Sequence, residues 1–219
     1  MIIAGLDLSM NGSGAVKFIL DDKLNIVEKS HLAFCSVKKN ANDYVKLYKR
    51  GNYPDRYAVN IWMETEISDF IKDCSHIAIE DYAFGASGNN FDIGEFIGYV
   101  KTKTYENQKA IRLYDPNSIK KFAAGKGNAD KISMYQAFIK VEPDMLSDYP
   151  APNKGSGVNP TSDIVDAYWI AQLLRLELQL RKGHVMLNSL SEEAISIFNR
   201  CTKSNPINLL DREFICKKT

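Results

Sequence analysis

The feature that most constrains this chain is a set of acids standing where acids are costly. Asp7 closes the apolar run Ile2-Ile3-Ala4-Gly5-Leu6, and Glu80 closes a second run, Ile77-Ala78-Ile79. Asp163 and Asp166 interrupt an apolar stretch that continues from Ile164-Val165 to Leu174. A carboxylate carried into a core destabilises it unless it is paired or holds a metal. Acids at the ends of two neighbouring strands sit side by side, and acids at i and i+3 of a helix share one face. All four therefore suit one oxygen-lined pocket for hard divalent cations.

The surrounding pattern says how such a pocket is built. Residues 2–8 read as a strand buried on both faces, and Gly12-Ser13-Gly14 marks a turn. Ala15 to Leu20 and Leu24 to Phe34 read as two further strands, which makes an antiparallel meander. Helical spacing recurs over about 56–74, then a strand at 77–80, a helix over about 91–107 and a strand at 111–114. Short helices over 116–124 and about 129–139, a Pro- and Gly-rich loop over 141–161, and a long helix over about 162–181 complete the order. The expectation is α/β: a five-stranded mixed sheet, three strands antiparallel and then two parallel, flanked by helices.

At 219 residues the chain is long enough for one generous domain. The expected domain covers 1–183, with a basic excursion at 38–55 read as a flexible loop, and residues 184–219 form an extension packed on it. Leu190, Ile195 and Ile197 are its candidate core contacts. The net charge of +1 hides an uneven distribution. Residues 101–140 hold nine Lys or Arg against three acids, and residues 38–57 hold six against two. A basic face around an acidic pocket suits a polyanion.

Lys120, Lys121, Lys126 and Lys131 read either as a solvated helix face or as phosphate contacts; Lys38 and Lys39 belong to the same basic set. Tyr44, Tyr48 and Tyr53 either stack on unpaired bases or pack an ordered loop. Cys35, Cys74, Cys201 and Cys216 show no metal-ligand spacing and read as reduced thiols. Strand-like sequence from Ile2 leaves no room for a leader, and no run of about 18 apolar residues is present. A cytoplasmic protein without a membrane partner is expected.

Gly5-Leu6-Asp7-Leu8-Ser9 with Gly12-Ser13-Gly14, Ile79-Glu80, Gly125-Lys126-Gly127-Asn128-Ala129-Asp130-Lys131 and Asp163-Ile164-Val165-Asp166-Ala167 together resemble the RuvC-type Holliday junction resolvases. The resemblance spans roughly residues 1–180 in the family's order. It implies an RNase H-like fold and a homodimer that nicks opposed strands of a four-way DNA junction. It also implies two Mg²⁺ or Mn²⁺ ions per site, with Asp7, Glu80, Asp163 and Asp166 as catalytic ligands. Asn89-Asn90 to Gly94 and Gly98 resemble the start of the dimer-forming helix, although simple packing on the sheet explains the glycines equally well.

The chain departs from the family pattern in places. The family often sets an aromatic wedge three residues after the glutamate; here that position is Ala83, with Tyr82 and Phe84 on either side as DNA-contacting candidates. Asp81 follows Glu80, and strand alternation leaves open which points inward. The 21 lysines against seven arginines match AT-rich genomes, phage genomes among them, so the cytoplasm expected is that of a bacterium or a phage-infected host. Other readings keep the fold but change the substrate to RNA–DNA hybrids, flaps or forks, or take Gly5–Gly14 as the phosphate loop of an actin- or sugar-kinase-type ATP-binding protein.

Overall fold

The first apolar run becomes β1 (Ile2–Asp7), whose Ile3, Ala4 and Leu6 are fully buried because layers cover both of its faces. The computed structural model describes residues 1–9, 12–36, 38–48, 50–81, 90–153 and 158–204. β2 (Gly14–Leu20) and β3 (Ile26–Cys35) follow β1 as an antiparallel meander, with Asp7 opposite Gly14 and Gly14 opposite Ala33. β5 (His76–Glu80) lies parallel to β1 on its other side, and β6 (Ala110–Tyr114) lies parallel to β5. These are the five strands expected from the sequence.

A sixth strand comes from the basic excursion. β4 (Val45–Leu47) pairs in parallel with β3, giving the order β4-β3-β2-β1-β5-β6. Val45 is fully buried, and the Ala33 amide donates to the Tyr44 carbonyl at 2.9 Å. Tyr48 stacks on Tyr53, and Tyr53 in turn lies against Trp62. The described part of the excursion is thus an ordered cover for the sheet edge, and Tyr48 and Tyr53 are packing residues. Tyr44 remains 57% exposed.

Strand alternation divides the core in two. Ile77, Ile79, Ile111 and Leu113 face α1 (Arg56–Phe70) and α2 (Asn90–Glu106), while Ala78 and Tyr114 face the opposite layer. That layer holds α3 (Pro116–Ala124), α4 (Lys131–Val141), α5 (Thr161–Arg181) and α6 (Glu192–Ser204). α5 is buried almost all round, as a helix lying across a sheet beneath other helices must be. α6, which the sequence pattern did not reveal, inserts Ile197, Phe198 and Cys201 into the same core, and Leu190 packs against it.

Asp55, Asp115 and Asp130 cap α1, α3 and α4, each accepting from a backbone amide of the first turn. Gly125 ends α3 with φ of 75°, a left-handed conformation that favours glycine. A buried charge network joins β6 to α5. Glu177 accepts from Arg112 Nε at 2.9 Å, from the Tyr114 hydroxyl at 2.7 Å and from Arg181 Nη2 at 2.8 Å.

Candidate metal centre and nucleic-acid face

Parallel pairing of β1 with β5 sets Leu6 beside Ile79, so the next residues along, Asp7 and Glu80, end adjacent strands at the carboxyl edge of the sheet. Open α/β sheets bind ligands outside this edge. Glu80 shares the face of Ala78, which packs with α5. Asp81 points elsewhere and pairs with Lys101 of α2 at 3.6 Å. Of the two, Glu80 is the residue that lies in the electrostatic field of Asp166.

The amino end of α5 is brought to the same edge by close backbone contact. A Cβ on Gly14 would collide with the Asp163 carbonyl, and one on Gly12 would lie 2.7 Å from Asp163 Oδ2 and against the Asn159 amide. At Gly14, which faces main chain, only glycine leaves room for the helix, whereas at Gly12 a Cβ would have to displace the side chains of Asn159 and Asp163. The turn between the two glycines is fixed by Ser13, whose hydroxyl donates to the Ser9 carbonyl at 2.9 Å and accepts from the Ser9 amide at 3.0 Å.

Asp163 and Asp166 are each 7% exposed. Burial, then the charges of Asp166 and Glu80, hold the Asp7 carboxyl well above its ordinary range. Burial and Asp166 push Glu80 up to about 7, against the pull of Lys131 and Lys120. Burial pushes Asp163 up to about 8; Lys131 opposes this and Asp166 adds to it. Mutual repulsion and desolvation therefore act on one cluster drawn from β1, β5 and α5.

Lys131, at the start of α4, pairs with Asp166. Burial would lower its pKa, but Asp166 and Asp7 outweigh that and hold the ammonium firmly charged. The sequence left it open between a solvated helix face and a phosphate contact; the structure makes it a counter-charge to the acids.

The donor set fits a hard divalent cation. All four groups are carboxylates, and Asp163 Oδ2 is buried with no hydrogen-bond partner, an unsatisfied acceptor of the kind a cation would complete. Among the described residues no trio of His, Cys, Asp or Glu is already drawn into metal-ligating arrangement. Asp166 is paired with Lys131 instead.

The basic candidates lie around the acids. β3 runs parallel to β1, so the turn Lys38–Asn40 that follows it stands at the same carboxyl edge of the sheet. Asn40 Nδ2 donates to the Asn159 carbonyl at 3.2 Å, four residues ahead of Asp163. Lys120 and Lys121 are on α3, Lys126 is exposed in the turn to α4, and Lys120 acts electrostatically on Glu80. Tyr82 and Phe84, the wedge candidates, lie outside the described residues. No helix of the described residues is long and apolar enough to cross a membrane.

No protein-family model and no curated protein matches the sequence. Solved structures do match. RuvC of Thermus thermophilus aligns over 84% of this chain and 98% of its own, at 18% identity and a TM-score of 0.51. The same organism's RuvC in complex with a Holliday junction substrate aligns over 84% and 97%, at 16% identity and a TM-score of 0.53. The yeast mitochondrial Holliday junction resolvase Ydc2 aligns over 83% and 81%, at 13% identity and a TM-score of 0.51. The mixed sheet, its flanking helices and these neighbours make the fold RNase H-like, in the form found in Holliday junction resolvases.

Proposed function

We propose that this chain is a structure-selective endonuclease that resolves four-way DNA junctions by divalent-cation-dependent, paired nicking. What supports the proposal is that two adjacent strand ends and the start of α5 bring Asp7, Glu80, Asp163 and Asp166 towards one edge of the sheet, where Lys131 pairs with Asp166. A cluster with that much unrelieved like charge has little value as architecture and suits a cationic ligand. The fold shared with junction resolvases supports the choice of substrate.

Asp7, Glu80, Asp163 and Asp166 would hold two Mg²⁺ or Mn²⁺ ions, which when bound supply Lewis acidity to water and to the leaving oxygen. The protein's own contribution is placement and charge. The carboxylates fix where a phosphate can sit, and Lys131 offsets the negative charge of pocket and substrate. Lys38, Lys39, Lys120, Lys121 and Lys126 anchor the backbone on either side. Water attacks phosphorus in line, the bond to the 3′ oxygen breaks, and the products are a 5′-phosphate and a 3′-hydroxyl with no covalent enzyme intermediate. Paired nicking needs two such pockets, hence a homodimer. A Cβ on Gly98 of α2 would meet open space, which suits a face against which a second copy could close.

The test is cleavage mapping on an end-labelled four-way junction, in Mg²⁺ and in chelator. Symmetrical nicks on opposed strands that vanish with chelator are expected. Equal cutting of RNA–DNA hybrids, flaps or forks would replace junction resolution with a broader nuclease activity.

A further inference from the structure

α6 lies against α3 in a fixed direction. Lys121 Nζ reaches Ser196 Oγ at 3.4 Å, and Arg200 Nη2 meets Asp115 Oδ1 at 3.2 Å. Ser196 and Arg200 are four apart and so form one stripe of the helix. Because the later residue of α6 meets the earlier residue of α3, the two helices run antiparallel. The carboxyl end of α6 therefore points at the catalytic edge.

Asp115 directly follows β6, whose Tyr114 is in register with Glu80, and Asp115 acts electrostatically on Glu80. Arg200 is thus carried to the β6 side of the pocket, one helical turn beyond the Ser196 that meets Lys121. Its side chain is 55% exposed.

The ion pair is a poor explanation for the presence of Arg200. α6 is already docked by Ile197, Phe198 and Cys201, of which Cys201 is fully buried. An ion pair this exposed contributes at most about 1 kcal/mol to stability. The helix dipole favours acids at the start of α6, where Glu192 and Glu193 stand, and bases at its end. That accounts for the sign of residue 200, and the pair with Asp115 sets it against the rim of the pocket.

We propose that α6 extends the nucleic-acid face, with Arg200 contacting a DNA backbone phosphate on the β6 side of the pocket. The inference rests on the junction-binding reading above and adds to it a residue and an element. Guanidinium groups match phosphate geometry bidentately. Asp115 serves as the holder that keeps Arg200 against the rim until a phosphate competes for it.

The experiment is anisotropy titration of a labelled four-way junction in chelator, across about 50–200 mM salt, the range over which phosphate contacts are resolved. Wild type, Arg200→Ala, Arg200→Lys and Asp115→Asn are compared, with a thermal melt of each. Asparagine is as good a helix cap as aspartate, so Asp115→Asn removes the ion pair and keeps α3 capped. Arg200→Ala should weaken binding several-fold and reduce the slope of log K against log salt by about one. Arg200→Lys and Asp115→Asn should keep the wild-type slope.

An unchanged slope in Arg200→Ala, whatever its melting temperature, would overturn the contact. So would a loss of affinity in Asp115→Asn that matches Arg200→Ala, because the ion pair alone would then be the cause. Wild-type protein that fails to bind the junction would remove the functional reading itself, and the contact with it.

Discussion

Asp166 and Glu177 belong to the same helix and are almost equally buried, at 7% and 6% exposure, yet their charges are handled in opposite ways. Glu177 is surrounded by donors: Arg112, Tyr114 and Arg181 all give it hydrogen bonds. Asp166 has Lys131 as its partner but sits among Asp7, Glu80 and Asp163, all acids held above their ordinary range. One end of α5 gives its acid three donors, although Arg112 Nη1 stays without a partner there among the described residues; the other gives Asp166 one lysine among acids. The lesson is that equal burial can go with opposite surroundings, donors around one acid and fellow acids around the other.

Breaking the acid pocket and breaking the Glu177 network should give contrasting results. The largest effect expected is on chemistry: Asp7→Asn should reduce junction cleavage by about 10³-fold or more, while binding in chelator persists. Single-turnover assays read the first and anisotropy the second; cutting at the wild-type rate would separate the pocket from the activity. Next in size, Glu177→Ala should cost about 3–5 kcal/mol, because it leaves the Arg112 guanidinium buried without its partner. At this chain length that is about 10 °C in melting temperature, with cation dependence of cleavage retained.

The pocket should also make the metal-free protein sensitive to pH in an unusual direction. Glu80 at about 7 and Asp163 at about 8 lie above their unfolded values of 4.5 and 3.8. Raised folded values mean that the folded state holds its protons longer than the unfolded chain. The stability these groups contribute is complete below about pH 4 and declines as pH rises towards about 8. Thermal melts in chelator should show this decline, and Mg²⁺ should reduce it; a flat profile would argue against crowded acids. The smallest effect sharpens the same point. Asp163→Asn should raise the metal-free melting temperature by a few degrees while removing the stabilisation by Mg²⁺, an exchange of stability for function.

The acids and the strands that carry them were legible because each interrupts an apolar run, and interrupted runs are rare in a chain built for packing alone. The longest helices were legible for a similar reason: α5 shows a sustained apolar stretch. β4 was not, since it is three residues long with Val45 its one fully buried side chain in a polar segment. α6 escaped because its buried stripe of Ile197, Phe198 and Cys201 is short and flanked by polar residues. The Arg112–Glu177 pair is separated by 65 positions, a distance over which local patterns carry no information. Strand alternation alone left Glu80 against Asp81 open, and only the pairing of Asp81 with Lys101 shows which way the strand end turns.

The docking of α5 on Gly5 and Gly14 has one further consequence. Main chain rests on main chain there, with no methyl group as a spacer. The location of the first helical acid is thus set by peptide geometry, which every sequence shares, and is insulated from repacking elsewhere. Residues across the rest of the sheet can be exchanged freely without moving that carboxylate, provided these two positions stay bare.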